Sequence, residues 1–202
     1  MSLHVWFGFA AFALIVSLLP GPAVIAVVTS ALRGGFRASL AANAGVLVAD
    51  ALFVAAAALG LGAVLVASHA VFVAVRWLGI AYLAYLGVRA LLDRGRAFAV
   101  DPAGVERRAF RFGLTTQLAN PKIILFFGAL LPLFVDPARP AALQFVLLGA
   151  TFIVSDALVF AGYGALAHRA RVLLKSPRAA RMTSRVTGVA MLGAAARLAA
   201  ER

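Results

Sequence analysis

The sequence contains no cysteine, which excludes disulfide bonds, thiolate nucleophiles and cysteine-based metal sites. Acidic residues are also few, with seven against 19 lysines and arginines, and the net charge is +12. Charged residues make up only 13% of the chain, whereas soluble domains carry about 25%. The three histidines, His4, His69 and His168, lie too far apart in sequence to indicate a metal site. No metal or cofactor is therefore expected.

Most of the chain is apolar. Of its 202 residues, 64% are hydrophobic, and the mean hydropathy is +1.01. Soluble domains are about 45–50% apolar, and a chain of this length cannot bury so much apolar surface in one core. Lipid is therefore the predicted solvent. The basic residues fall between the apolar runs, where they indicate membrane topology and not a nucleic-acid partner.

Six apolar runs are long enough to cross a bilayer, which requires roughly 17–25 residues. They predict an all-α membrane protein made of a single transmembrane domain, residues 1–202. The last run is the weakest, because Arg185 and Arg197 bracket it and would have to reach towards the headgroups. The predicted spans are 5–31, 40–67, 71–92, 112–135, 141–167 and 183–200.

The basic residues are unevenly distributed among the loops. The first, third and fifth loops are rich in arginine, the second has no Lys or Arg, and the fourth has only Arg139. Because cytoplasmic loops carry the excess of Lys and Arg, the odd loops are predicted to be cytoplasmic and both termini external. The polar stretch 93–111, with a predicted turn at 101–104, would be a cytoplasmic linker between two halves, 1–92 and 112–202.

The two halves share a pattern. Segment 48–54 resembles segment 154–160, and each carries one aspartate, Asp50 or Asp156. Each also follows a span that proline interrupts. Three spans per half would place the second half upside down, as a 3+3 inverted repeat with broken helices 1 and 4, with the site at the repeat interface. The alternative is chance similarity in a sequence rich in Ala, Val and Leu. The interrupting motifs are Pro20-Gly21-Pro22 and Asn120-Pro121-Lys122.

Each of these prolines frees the carbonyl four residues earlier, namely those of Val16, Leu18 and Gln117. Irregular backbone at membrane depth is tolerated where it is buried in protein or lines a watery cavity. A freed carbonyl accepts a cation, and the following helix N-terminus favours an anion, so together they suit a zwitterionic amino acid. An ordinary structural kink is the alternative.

Three ionisable residues, Asp50, Lys122 and Asp156, fall near mid-membrane. Each costs roughly 2.5–3.5 kcal/mol at a helix centre, so each requires a partner or a wet cavity. One interpretation is a structural ion pair between Lys122 and one aspartate. The other is that an aspartate carries a coupling proton or holds the substrate ammonium, since three charges leave one carboxylate uncompensated.

These motifs, in order and spacing, resemble the LysE/RhtB family of amino-acid exporters. The resemblance implies an inner-membrane efflux protein in bacteria, driven by the proton gradient, with an amino acid as substrate. It carries over Pro20, Gly21, Pro22, Asn120, Pro121 and Lys122 as site residues; a homo-oligomer is left open. The motifs that carry it are Leu19-Pro20-Gly21-Pro22, Arg33-Gly34-Gly35, Tyr82 to Gly87, Phe112-Gly113, Asn120-Pro121-Lys122, Phe126-Phe127 and Leu131 to Phe134.

Other functions fit less well. An intramembrane aspartyl enzyme could use Asp50 and Asp156 as a dyad, but the Gly-x-Gly-Asp signature of such enzymes precedes neither residue. The lack of cysteine and of histidine clusters argues against soft-metal export. No nucleotide-binding loop is present, so ATP is not the direct energy source. A non-transporting membrane assembly protein stays as the alternative to a transporter, and no enzyme activity is predicted.

Overall fold

A computed structural model of the chain describes residues 1–60, 69–92, 102–173 and 177–200. Across these ranges the chain forms eight α-helices and no β-strand, which confirms the all-α prediction. Helix α6 continues through a π-helical turn, Phe126–Leu130, and a 3-10 turn, Leu131–Phe134. The helices are α1 Leu3–Leu18, α2 Pro22–Gly34, α3 Phe36–Ala58, α4 His69–Leu92, α5 Pro102–Leu118, α6 Pro121–Leu125, α7 Ala141–Leu173 and α8 Pro177–Ala200.

Both predicted helix breaks are present. The axes of α1 and α2 differ by 55°, and α5 differs by 50° from the α6 segment that follows it. Pro22 and Pro121 stand at the start of α2 and α6, where the missing proline N–H would have no helical partner in any case. Pro20 and Gly21 form the connection between α1 and α2. Proline thus ends one helix and begins the next at each break.

Two helices, α3 and α7, are long and apolar enough to cross a membrane, and the number rises to four if each bent pair is one span. Among the described residues, α4 and α8 are not in this set. The six-span arrangement therefore stays a prediction.

Some boundaries differ from those predicted. Helix α5 begins at Pro102, so the turn expected at 101–104 is wrong over 102–104, and the expected linker is helical from residue 102. Proline is favourable in the first turn of a helix, and nothing after Gly104 breaks the helix before Leu118. The remainder of that linker, 93–101, lies outside the described residues, as does the predicted end of the second span at 67.

The helices pack around α3, which contacts α2, α5 and α7, while α1 lies on α7 and α4 lies on α8. Phenylalanines fill the space beside the second break, where the rings of Phe126 and Phe152 are 4.3 Å apart between centroids. On the outside of α7, Leu143 and Leu158 are 72% and 68% exposed. Apolar surface of this extent suits contact with lipid.

Helices α3 and α5 cross in backbone contact. A Cβ atom added at Gly113 would overlap the carbonyl oxygen of Ala42, and one added at Gly45 would overlap that of Phe110. Only glycine therefore fits on either side of this crossing. The crossing matters for function because it fixes α3, which carries Asp50, against the helix that ends beside Gln117.

We expect Gly113→Ala to destabilise the protein by about 1–3 kcal/mol, because the helices must separate to admit one methyl group. The measurement is the thermal unfolding midpoint of the purified protein in detergent. Gly162→Ala on α7 is the matched control, since an added Cβ there meets nothing within 4 Å. Equal midpoints for the two variants would contradict the backbone contact.

Candidate functional site

Lys122 joins the two helix breaks. It is the second residue of α6, and its Nζ donates to the carbonyl of Val16 at 3.0 Å and, at the long limit of 3.5 Å, to that of Leu19. A Cβ atom added at Gly21 would lie 3.9 Å from the same Nζ. The ammonium group of the second break therefore sits at the backbone of the first.

The carbonyls that the prolines free do not stand open. Val16 accepts from Lys122, and the carbonyl of Leu18 accepts from the Tyr163 hydroxyl at 2.9 Å. The Gln117 carbonyl accepts from the backbone N–H of Asn120 at 3.0 Å. The expectation that these carbonyls would be free for a substrate cation is wrong in this structure. An unpaired carbonyl at membrane depth costs several kcal/mol, so the protein supplies its own donors.

A chain of hydrogen bonds runs from the second break to α3. The side-chain oxygen of Asn120 caps α6 by accepting from the Lys122 N–H at 3.2 Å. Asn120 Nδ2 donates to Gln117 Oε1 at 3.0 Å, and Gln117 Nε2 donates to Asp50 Oδ1 at 2.6 Å. The two side-chain amides thus form a chain of hydrogen bonds that ends at Asp50. Residues of the broken helix therefore orient the Asp50 carboxylate.

Asp156 lies on α7 and is 1% exposed. It interacts with Asp50, with Lys122 and with the hydroxyl of Ser17 on α1. The Ser17 hydroxyl also lies 2.9 Å from the Ala13 carbonyl. The two aspartates of the matched segments therefore meet, and they do so between the two broken helices.

The charges of this cluster are not balanced by direct pairing. In the described part of the chain, no salt bridge joins Lys122 to either aspartate. The ion pair considered from the sequence is therefore absent, because the ammonium is held by backbone carbonyls and acts on the carboxylates from further away. Among the described residues four buried side-chain oxygens have no hydrogen-bond partner, and two of them, Asp50 Oδ2 and Asp156 Oδ2, belong to this cluster. The other two are Asn43 Oδ1 and Thr116 Oγ1.

These oxygens define the chemistry of the site. An ammonium group brings N–H donors and a positive charge, which match the two carboxylate oxygens that have no donor, Asp50 Oδ2 and Asp156 Oδ2. The cluster is also closed, since Asp50 and Gln117 are 0% exposed and Asn120 is 1% exposed. A ligand reaches it only if the helices around the breaks move.

Two site residues were missed from the sequence, and a third was noticed without being chosen. Ser17 is a polar residue inside an apolar run three positions before Pro20, and Tyr163 follows Asp156 by seven positions, two helical turns along one face. Gln117 was named from the sequence for its backbone carbonyl, and its side chain was not chosen. The helical spacing of the first two could have identified them, because Ser17 lies one turn before Pro20 and Tyr163 two turns after Asp156.

Two proline-broken helices that enclose uncompensated charge are the arrangement found in secondary transporters. The geometry therefore defines a membrane transport protein as the class. The chain belongs to the LysE type translocators, whose family model matches residues 14–202. The predicted family is thereby confirmed, as is the prediction of a transporter and not an enzyme.

Curated relatives cover nearly the whole chain. A protein of Vibrio cholerae described as an uncharacterized membrane protein is 33% identical over 96% of this chain and 95% of its own length. The homoserine/homoserine lactone efflux protein of Salmonella typhimurium is 30% identical over 100% of this chain and 99% of its own. The leucine efflux protein of Salmonella choleraesuis is 29% identical over 93% and 91%. No solved structure matches the chain.

Proposed function

We propose that this protein exports amino acids or close derivatives across the bacterial inner membrane by secondary active transport coupled to protons. The observation that carries the proposal is the buried cluster at the two breaks, with its two carboxylate oxygens that lack a donor. Relatives named as efflux proteins for homoserine and for leucine support a substrate with a neutral side chain.

In this proposal the substrate ammonium binds between Asp50 and Asp156, where the carboxylate oxygens without donors lie. The substrate carboxylate then pairs with the Lys122 ammonium. Lys122 already binds the Val16 carbonyl at 3.0 Å, so the substrate has to draw it away from α1. Loss of that contact would loosen the first break and let α1 and α2 move relative to α6.

The coupling proton would occupy the same aspartate pair. Two interacting buried carboxylates cannot both stay charged without a cation, and either a proton or an ammonium meets that need. Proton and substrate would therefore be alternative occupants, which is the simplest basis for exchanging one for the other across the membrane.

The proposed architecture is the six-span inverted repeat, with the first, third and fifth loops cytoplasmic. Two contacts support this sidedness. The N-terminal ammonium lies 3.8 Å from Asp136 in the fourth loop, and Arg171 at the end of α7 donates to the Arg33 carbonyl at 3.2 Å. A reporter enzyme fused after residue 96 should therefore show cytoplasmic activity; external activity would overturn the orientation.

The proposed activity is tested by an export screen. Cells that overexpress the protein and control cells are loaded with a panel of labelled amino acids, and efflux is followed with and without a proton gradient. We expect faster efflux of at least one neutral amino acid, with the difference lost when an uncoupler removes the gradient. Identical efflux in both strains across the whole panel would contradict the proposal.

A further inference from the structure

A cavity of about 750 Å³ lies outside the buried cluster, between α2, α4, α5 and α8. Four arginines line it: Arg33, Arg89, Arg108 and Arg111. Of the described residues in its wall, none is acidic. The described wall of the cavity therefore carries positive charge, which the aspartate cluster does not require.

The cavity has an ordered wall. On α5, Thr115 lies one helical turn further along the chain than Arg111; on α2, Thr29 lies one turn before Arg33. The hydroxyls form two pairs, Thr29 with Thr187 at 2.8 Å and Tyr82 with Thr115 at 2.6 Å. Arginines thus lie towards one end of these helices, and hydroxyl groups lie deeper.

The deeper end approaches the aspartate cluster. Thr115 lines the cavity, and Gln117, two residues or about 3 Å of helix rise further, binds Asp50 at 2.6 Å on the other side of α5. Helix α2 likewise runs from Arg33 in the cavity wall back to Pro22 at the first break. The arginine end belongs to the first and third loops, which the topology proposed above places in the cytoplasm.

We propose that this cavity is the cytoplasmic entrance of the transporter, which concentrates solutes bearing a free carboxylate and rejects solutes with a net positive charge. The inference rests on the proposed function and names the class of substrate: neutral or acidic amino acids, but not lysine or arginine. A cleft lined by charge of one sign raises the local concentration of oppositely charged groups, and the arginine guanidinium binds carboxylates well. The hydroxyl pairs then offer hydrogen bonds on the way to the cluster.

The test uses inside-out membrane vesicles, in which export appears as uptake. Arg89 and Arg111 are exposed in the cavity and are changed together to glutamine, with R107Q/R169Q as a control of equal charge, since Arg107 and Arg169 are exposed but do not line the cavity. For labelled L-leucine and L-homoserine, we expect the KM to rise about tenfold in R89Q/R111Q, with little change in maximal rate. The control should behave as the wild type does.

Charge selectivity supplies the second readout. Leucinamide, which has the ammonium group without the carboxylate, should inhibit the wild type weakly and R89Q/R111Q more strongly. Raising the salt concentration should raise the wild-type KM and change that of the variant less, because salt screens the arginines. An unchanged KM and unchanged leucinamide inhibition in R89Q/R111Q would overturn the entrance.

Two other outcomes are separable. If wild-type vesicles take up neither amino acid beyond control vesicles, the proposed function fails, and this inference fails with it. If reconstitution without anionic lipid raises the wild-type KM to the value that R89Q/R111Q shows in any lipid, the arginines bind lipid phosphate, and the entrance is overturned while export stands.

Discussion

Replacing either buried aspartate with asparagine is expected to reduce amino-acid export roughly 100-fold, to near background. Asp50 and Asp156 each present an oxygen without a donor at the point where the two broken helices meet. Asparagine keeps the shape of the side chain but cannot carry a proton or neutralise an ammonium. A charged hydrogen bond contributes about 1.5–3 kcal/mol, which corresponds to roughly 10- to 150-fold in rate or affinity.

The same substitutions should not harm the fold. A carboxylate at mid-membrane costs roughly 2.5–3.5 kcal/mol, so Asp50→Asn and Asp156→Asn should leave the unfolding midpoint equal to or above that of the wild type. Asp136→Asn is the matched control, because Asp136 is 38% exposed in a loop and pairs with Arg139. Full export in both asparagine variants, or loss of export only together with loss of stability, would contradict a role in transport.

Changing Lys122 to methionine is expected to weaken both substrate binding and export. The variant removes the ammonium that binds the Val16 carbonyl and that would pair with the substrate carboxylate. We expect neutral amino acids to bind roughly tenfold more weakly, as loss of about 1.4 kcal/mol implies. Export should fall roughly 10- to 100-fold, because the substrate can no longer draw a cation away from the first break.

Lys122→Arg is the companion variant. It keeps the charge, although its planar guanidinium fits the two carbonyls differently, so part of the export activity should remain. Binding is measured with labelled leucine on purified protein and export in vesicles from the same cells. Loss of binding and export in Lys122→Met together with a lowered unfolding midpoint, and no recovery in Lys122→Arg, would show that the lysine only holds the fold together.

The two helix breaks were predictable because proline acts locally. The missing N–H and the ring clash at Pro20, Pro22 and Pro121 operate within four residues whatever surrounds them. The same local chemistry misled the prediction at Pro102, where a proline near a glycine indicated a turn and instead begins α5. Proline marks a helix boundary, but which side of it is helical depends on the residues that follow.

The contacts across the site were less accessible to sequence reasoning. Which donor satisfies a freed carbonyl depends on tertiary packing, and Lys122 reaches Val16 across 106 positions of sequence. The matched segments indicated that Asp50 and Asp156 lie close together. They did not indicate that neither aspartate forms a direct ion pair with Lys122. The sequence also did not predict that arginines from separate helices line one cavity, because these arginines had been interpreted only as topology signals.

Transport through the aspartate cluster requires that solvent reach it. Because the chain contains no cysteine, a single introduced cysteine can report that access directly. Ser17, which interacts with Asp156, is changed to cysteine and exposed to a membrane-impermeant thiol reagent. Ala13→Cys, one turn away and 0% exposed within the aromatic core, is the control. We expect Ser17→Cys to react, with saturating leucine slowing the reaction, while Ala13→Cys stays inert. If Ser17→Cys never reacts from either side of the membrane, with or without amino acid, the cluster is dry and closed, and the transport site lies elsewhere.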